Sequence, residues 1–260
     1  MEPVPAALTA LVRDGTLDAE LAALVWLAFD AGIPVVVAGE PGDARAALRD
    51  AVADLADGAD LADGRPIVRL AGDAETFDWM PEAAELGWTT AARASVPGLR
   101  GAVMIADLVA DLTPDTATPT WGEHARLAIR ALTAGYGMAA TARGDRLEDV
   151  LGRLSAAPVL AIDDELTRLG IVLILGPDTL GVTRVQAAHY LRPVARDVHG
   201  HIQRLAPASL ATWNQKAQRF DHFAWGVLDE LAGRADMRPL AFDREQAARA
   251  GRLAGASRTL

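Results

Sequence analysis

The chain has 260 residues, 51% of them hydrophobic, no cysteine, and 35 acidic against 25 basic side chains for a net charge of −10. That length and apolar content can bury one large α/β core. The absence of cysteine excludes disulfides and Cys-ligated zinc, and the acidic balance makes a nucleic-acid binder a poor fit, because phosphate contacts need clustered Lys and Arg. Arginine greatly outnumbers lysine and alanine is abundant, which reads as genomic composition bias. The start, Met-Glu-Pro-Val-Pro, lacks the basic n-region of a signal peptide, and no apolar run reaches the roughly 20 residues of a membrane span, so a cytoplasmic chain is expected.

In chain order, residues 6–30 read as helix, with Asp18 as an N-cap and Leu21, Leu24, Val25 and Leu27 at helical spacing before Ala31-Gly32 stops it. Val35, Val36 and Val37 form a buried strand. A Gly39-Glu-Pro-Gly42 turn follows, then a helix from about Asp43 to Leu55. Strand, glycine loop and helix in that order are the frame of a phosphate-binding loop, in which backbone N–H groups and a helix N-terminus hold an anion. The frame covers Gly39, Gly42, Asp43, Ala44, Arg45, Ala46 and Ala47. Its chemistry is depleted: counted from Gly39, the second glycine of G-x-x-x-x-G-K-[ST] falls on Ala44, the lysine on Arg45 and the Mg²⁺-binding hydroxyl on Ala46, and Ala47 supplies none either. Arg45 keeps a positive charge, but a planar fork is not interchangeable with an ammonium.

A polar loop over 57–64 leads to a second strand, Ile67 to Ala71, which opens into Gly72-Asp73-Ala74-Glu75, two carboxylates at the C-terminal end of a strand. Phe77, Trp79 and Trp88 read as packing anchors. The third strand, Val103 to Asp107, ends in the acid that a Walker B strand supplies. Residues 111–120 form a mobile Thr/Pro/Asp loop. Then come an amphipathic helix from Trp121 to Leu132 with Glu123 in its first turn, a fourth strand from Met138 to Thr141, helices over 145–154 and 163–169, and the apolar strand Ile171 to Leu175. This alternation predicts a mostly parallel sheet covered on both faces. Beyond Pro177 the texture becomes a β-meander with a hairpin tip at Asp197–Gly200, followed by helix over 226–257 that frays from Ala247.

Several windows together resemble the type II/type IV secretion and pilus ATPase family. They are the helix and strand from Gly15 to Gly39, the strand end Ala106-Asp107, and Glu123, followed by Ala131-Leu-Thr-Ala-Gly135-Tyr136. Ala140-Thr141-Ala142-Arg143 comes next, then the helix from Asp145 to Leu154, with Asp73 to Glu75 where the acidic box of that family lies. The resemblance spans residues 10–176 and implies a RecA-like P-loop NTPase core, a three-layer α/β sandwich over 1–176, with a C-terminal meander and helices over 177–260 packed on it. It implies Asp107 and Glu123 as catalytic acids, 39–47 as phosphate loop, and Thr141 and Arg143 in a degenerate histidine box, with ATP or ADP and Mg²⁺ as the cofactors of an active relative.

The departures fall on chemistry. Arg45, Ala46, Asp107 and Arg143 stand where the family has Lys, Ser/Thr, Glu and His. The first expectation is therefore a non-catalytic pseudo-ATPase that works by contacting a partner of a secretion or pilus machinery, such as an active ATPase. An alternative is a weak nucleotide-binding or hydrolysing enzyme, with Arg45 and Arg143 on phosphates and Asp73, Glu75, Asp107 and Glu123 organising Mg²⁺ through water. Relatives assemble as hexameric rings, so a homo-oligomer is a further expectation. A third reading is a small-molecule enzyme or binding protein using the histidines: His189, His199, His201 and His222 fall in the C-terminal region, His199 and His201 on one face of a strand, with Asp197 or His222 as the third ligand if a metal is bound. Against these stand plainer roles: Arg45 a surface helix residue, Asp107 a turn acid, Glu123 a helix-terminus acid. Phe220, Phe223 and Trp225 read as a hydrophobic plug, or as a partner surface if exposed together.

Overall fold

The computed structural model describes residues 3–58, 65–88, 99–113, 116–196, 202–203 and 205–258. The expected helix over 6–30 is two helices, α1 (Ala6–Arg13) and α2 (Ala19–Asp30). Gly15, at φ +74°, turns the chain out of α1, and Asp18 restarts it by accepting the Leu21 N–H at 2.9 Å. Every residue from Leu21 to Phe29 is buried. A helix apolar on all sides must be covered on all sides, so α2 needs an outer layer as well as a sheet beneath it.

The sheet is built from β1 (Val35–Ala38), β2 (Ile67–Arg69), β3 (Val103–Leu108), β4 (Gly137–Ala142) and β5 (Ile171–Pro177), which run parallel in the order β5-β1-β4-β3-β2. The meander adds β6 (Thr183–Tyr190), β9 (Ala208–Asn214) and β10 (Arg219–His222), which extend the same sheet antiparallel from β5 to make eight strands. Two short strands, β7 (Ala195–Arg196) and β8 (Ile202–Gln203), pair separately. The Asp197–Gly200 tip expected between them lies outside the described residues.

Alternation along each strand divides the core in two. Val35, Val37, Val103, Ile105, Ala139, Ile171 and Leu173 face one layer, formed by α1, α2, α3 (Asp43–Gly58), α7 (Leu228–Arg234) and α8 (Pro239–Ala256). Val36, Ala38, Met104, Ala106, Met138, Ala140, Val172 and Ile174 face the other, formed by α4 (Gly122–Ala131), α5 (Leu147–Ser155), α6 (Asp163–Leu166) and the aromatic segment 77–88. The result is a helix–sheet–helix α/β fold. α8 is the outer cover that α2 requires. Arg249 lies over the Trp26 ring at 4.4 Å and pairs with Asp30, and Arg252 approaches the same ring at 5.4 Å. The fraying expected from Ala247 is absent, since α8 continues to Ala256 through these contacts.

From β1 the chain crosses through α3 to the far edge, returns through β2, β3 and β4 to β1, and then places β5 on the other side. α3 leaves β1 on one face, while α5 leaves the adjacent β4 on the other. Neighbouring connections diverge there, opening a crevice at the carboxyl ends of β1 and β4, the usual place for a ligand in an open α/β sheet.

Candidate functional site

Residues 39–42 form a bend from the central strand β1 into α3, at the mouth of that crevice. Gly39 is required: φ is +152°, and a Cβ there would lie 2.8 Å from the Leu175 carbonyl oxygen on β5. Gly42 is not, because a Cβ would meet nothing within 4 Å. Its carbonyl accepts the Arg45 N–H at 3.1 Å as α3 begins. Asp43 is exposed in the first turn of α3, where its carboxylate already complements the positive helix end. Ala44 and Ala46 are half-buried and Ala47 is exposed. A cavity of about 210 Å³ above the loop is lined by Glu40, Asp43, Arg45, Asp145, Gly176 and Thr183 among others. Three of these side chains are carboxylates, and they give the rim an acidic character.

Arg45 is not a surface residue. It is 1% exposed, and its guanidinium donates to the Ala142 carbonyl at 3.1 Å, the Gly39 carbonyl at 3.4 Å and Thr116 Oγ1 at 3.4 Å. It thereby ties the loop to the end of β4 and to the 111–120 segment. That segment is anchored as well: Thr116 and Thr120 are buried, and Thr120 N–H donates to the Asp107 carbonyl at 2.7 Å.

Asp107 lies two residues after Ile105 and points to the α3 face, directly opposite Thr141 in the β3–β4 register. Thr141 Oγ1 donates to Asp107 Oδ1 at 2.6 Å, and Arg49 Nη1 pairs with the same oxygen. All three side chains are buried. Arg49 also reaches Asp50 at 2.9 Å. Arg49 was absent from the sequence-based set of candidates. The available signal was its position four residues, one helical turn, beyond Arg45 on the same face of α3.

The other acids do not converge on this point. Glu75 is buried and accepts N–H groups from Ala71 at 3.0 Å, Phe77 at 2.9 Å and Trp79 Nε1 at 3.1 Å. It holds the turn in which Phe77 sits at φ +54° with its ring against Trp88, 5.0 Å between centroids. Asp73 is exposed beside it, and Glu123 is exposed in the first turn of α4. Arg143 lines a second cleft with Arg45, Arg153, Trp121 and Asp111, and lies 3.7 Å from Glu40.

His222 contacts Asp18 at 2.8 Å and Glu20 at 3.7 Å. Burial alone would lower its pKa. The Asp18 hydrogen bond, with the charges of Asp18, Glu20 and Asp221, outweighs that and the net shift is upward. His189, on β6, is shifted downward by burial, opposed by the Glu148 charge. Asp197, His199 and His201 lie outside the described residues, and among the described residues no group of three or more His, Cys, Asp or Glu converges as a metal site. Phe220 packs on Trp213 at 5.1 Å, whereas Phe223 is 39% and Trp225 78% exposed, so the three rings do not act together. No helix among the described residues is long and apolar enough to cross a membrane.

Compared with known proteins, the chain matches no family model and no curated protein sequence.

Proposed function

We propose that this protein is a non-catalytic relative of the type II/type IV secretion and pilus ATPases, built on a degenerate P-loop core and acting through contacts with a protein of such a machinery. The observation that carries this reading is Arg45. The cation needed on the outer phosphates is turned under the loop onto backbone carbonyls, and it serves to bind the loop to β4. A phosphoryl-transfer site works almost wholly by positioning and by electrostatic stabilisation of the transferring group. Here the position of the metal-binding hydroxyl is Ala46, the helix end faces its own Asp43, and Glu40 and Asp145 add negative charge to the cavity that a polyphosphate would enter. The same arrangement speaks against a weak nucleotide-dependent enzyme.

The test has two parts. Purified protein titrated with ATP or ADP in Mg²⁺ to millimolar concentration, followed by calorimetry, is expected to give no binding heat, and an assay of phosphate release no turnover. Hydrolysis at ordinary rates that disappears on Asp107→Ala would overturn the reading. Cross-linking in the native cell is expected to recover a secretion-type or pilus ATPase or one of its assembly partners.

A further inference from the structure

The resemblance to an ATPase core implies Mg²⁺, and the residues present do not fit it. Mg²⁺ takes six oxygens in a near-ideal octahedron and is normally anchored by one or two carboxylates, a hydroxyl and phosphate. Here Ala46 has no hydroxyl, Glu75 is engaged by three N–H donors, and Asp73 and Glu123 are exposed elsewhere. Asp107, the acid that ends the apolar run of β3, has its Oδ1 already taken by Arg49 and Thr141.

We propose that Arg49 is a built-in replacement for the divalent cation, its guanidinium supplying in the folded chain the positive charge that Asp107 would otherwise take from a metal ion. A buried carboxylate needs a counter-charge and hydrogen-bond donors, and an arginine fork provides both. The placement follows from the helix. Arg45 and Arg49 project from successive turns of the same face of α3, the first to the loop and the end of β4, the second to β3. Together they fasten β1, β3 and β4 beneath the crevice without a bound ion. The pair is also excluding, because a dication at Asp107 would sit beside a largely buried guanidinium held in place. The site is therefore metal-independent by construction, and removing Arg49 should uncover a latent cation site made of Asp107 and Thr141.

The proposal borrows from the functional reading only the identity of the replaced ion. Nucleotide titration tests that reading and metal uptake without nucleotide tests this one, so either can fail alone. The probe is Mn²⁺, followed by loss of the free-ion paramagnetic resonance signal, on untagged wild type, Arg49→Met, Arg49→Lys, Asp107→Asn and the Arg49→Met/Asp107→Asn double variant. Wild type and Arg49→Lys are expected to show no Mn²⁺ uptake that depends on Asp107, and melting temperatures equal in Mg²⁺ and in EDTA. Arg49→Met is expected to bind Mn²⁺ about tenfold or more tighter than wild type, to gain thermal stability from it, and to lose both in the double variant. Wild-type Mn²⁺ binding abolished by Asp107→Asn would overturn the proposal, as would a folded Arg49→Met that binds no more metal than wild type. If Arg49→Met does not fold in EDTA, refolding on addition of Mg²⁺ is the readout: recovery supports the proposal, and a chain that stays unfolded overturns it.

Discussion

Thr141, at the site, and Glu75, in the turn apart from it, show how much single buried side chains hold in place. Thr141 presents its hydroxyl to Asp107 in a fully buried position. Thr141→Val keeps the shape and removes the donor, and should cost about 1–3 kcal/mol of stability in denaturant unfolding, the usual effect of removing a hydrogen bond to a buried charge. Glu75 serves three N–H groups at once, so Glu75→Ala strands several donors and should cost at least as much, about 2 kcal/mol or more, in the same measurement. His222 gives the chain a pH dependence. Its folded pKa lies above the ordinary value of 6.5, so the protonated pair with Asp18 adds stability that is fully present below that value. The contribution is lost as pH rises through the folded pKa. His189, shifted downward, acts in the opposite sense: its contribution is lost as pH falls. The clean observable is therefore a difference. Wild type minus His222→Gln stability, measured across neutral pH, should shrink as pH rises, because His189 is common to both proteins.

At the scale of elements, the decisive contacts join segments far apart in the chain. α8 is bound to α2 by Arg249, which is 8% exposed, stacks on Trp26 and pairs with Asp30 and Glu245. Arg249→Ala removes the stack and leaves Asp30 with less compensation, and should lower stability by about 2–4 kcal/mol. Hydrogen exchange should show α8 opening before α2. The β1–α3 bend depends on Gly39 for a different reason, since a side chain there meets the backbone of β5. Gly39→Ala should destabilise by about 1–3 kcal/mol in thermal or denaturant unfolding, whereas Gly42→Ala, with open space around it, should not. A loop shaped by contact with β5 need not owe its glycine to a phosphate.

Over the whole molecule, one mixed sheet joins a parallel half to the antiparallel meander, with the crevice where connections from β1 and β4 part to opposite faces. Strand order, two-faced burial and helices on both sides give an α/β scaffold with its opening in the usual place. Within that opening, arginines pin the loop and β3 from below, and acids line the cavity above.

The local signals were sufficient for most of the elements, because strand and helix periodicities are written in consecutive residues. Val35–Val37 read as a buried strand, Asp18 as a cap and Gly39 as the start of a bend, and each depends on residues within one or two turns. The break within 6–30 was signalled locally by Gly15 and the Asp18 cap, yet the segment was read as one helix; what no local pattern shows is its anchoring, with Val185 N–H donating to the Thr16 carbonyl at 2.8 Å and Arg184 to that of Gly15. The site divided in the same way. The sequence by itself determined that the bend after β1 carries neither a lysine nor a hydroxyl at residues 44–47, since that is a matter of composition at single positions. Only the tertiary structure decided what the arginines of α3 contact. The contacts of Arg45 with Ala142 and of Arg49 with Asp107 span 97 and 58 residues, and no local pattern encodes which carboxylate or carbonyl a buried guanidinium will find.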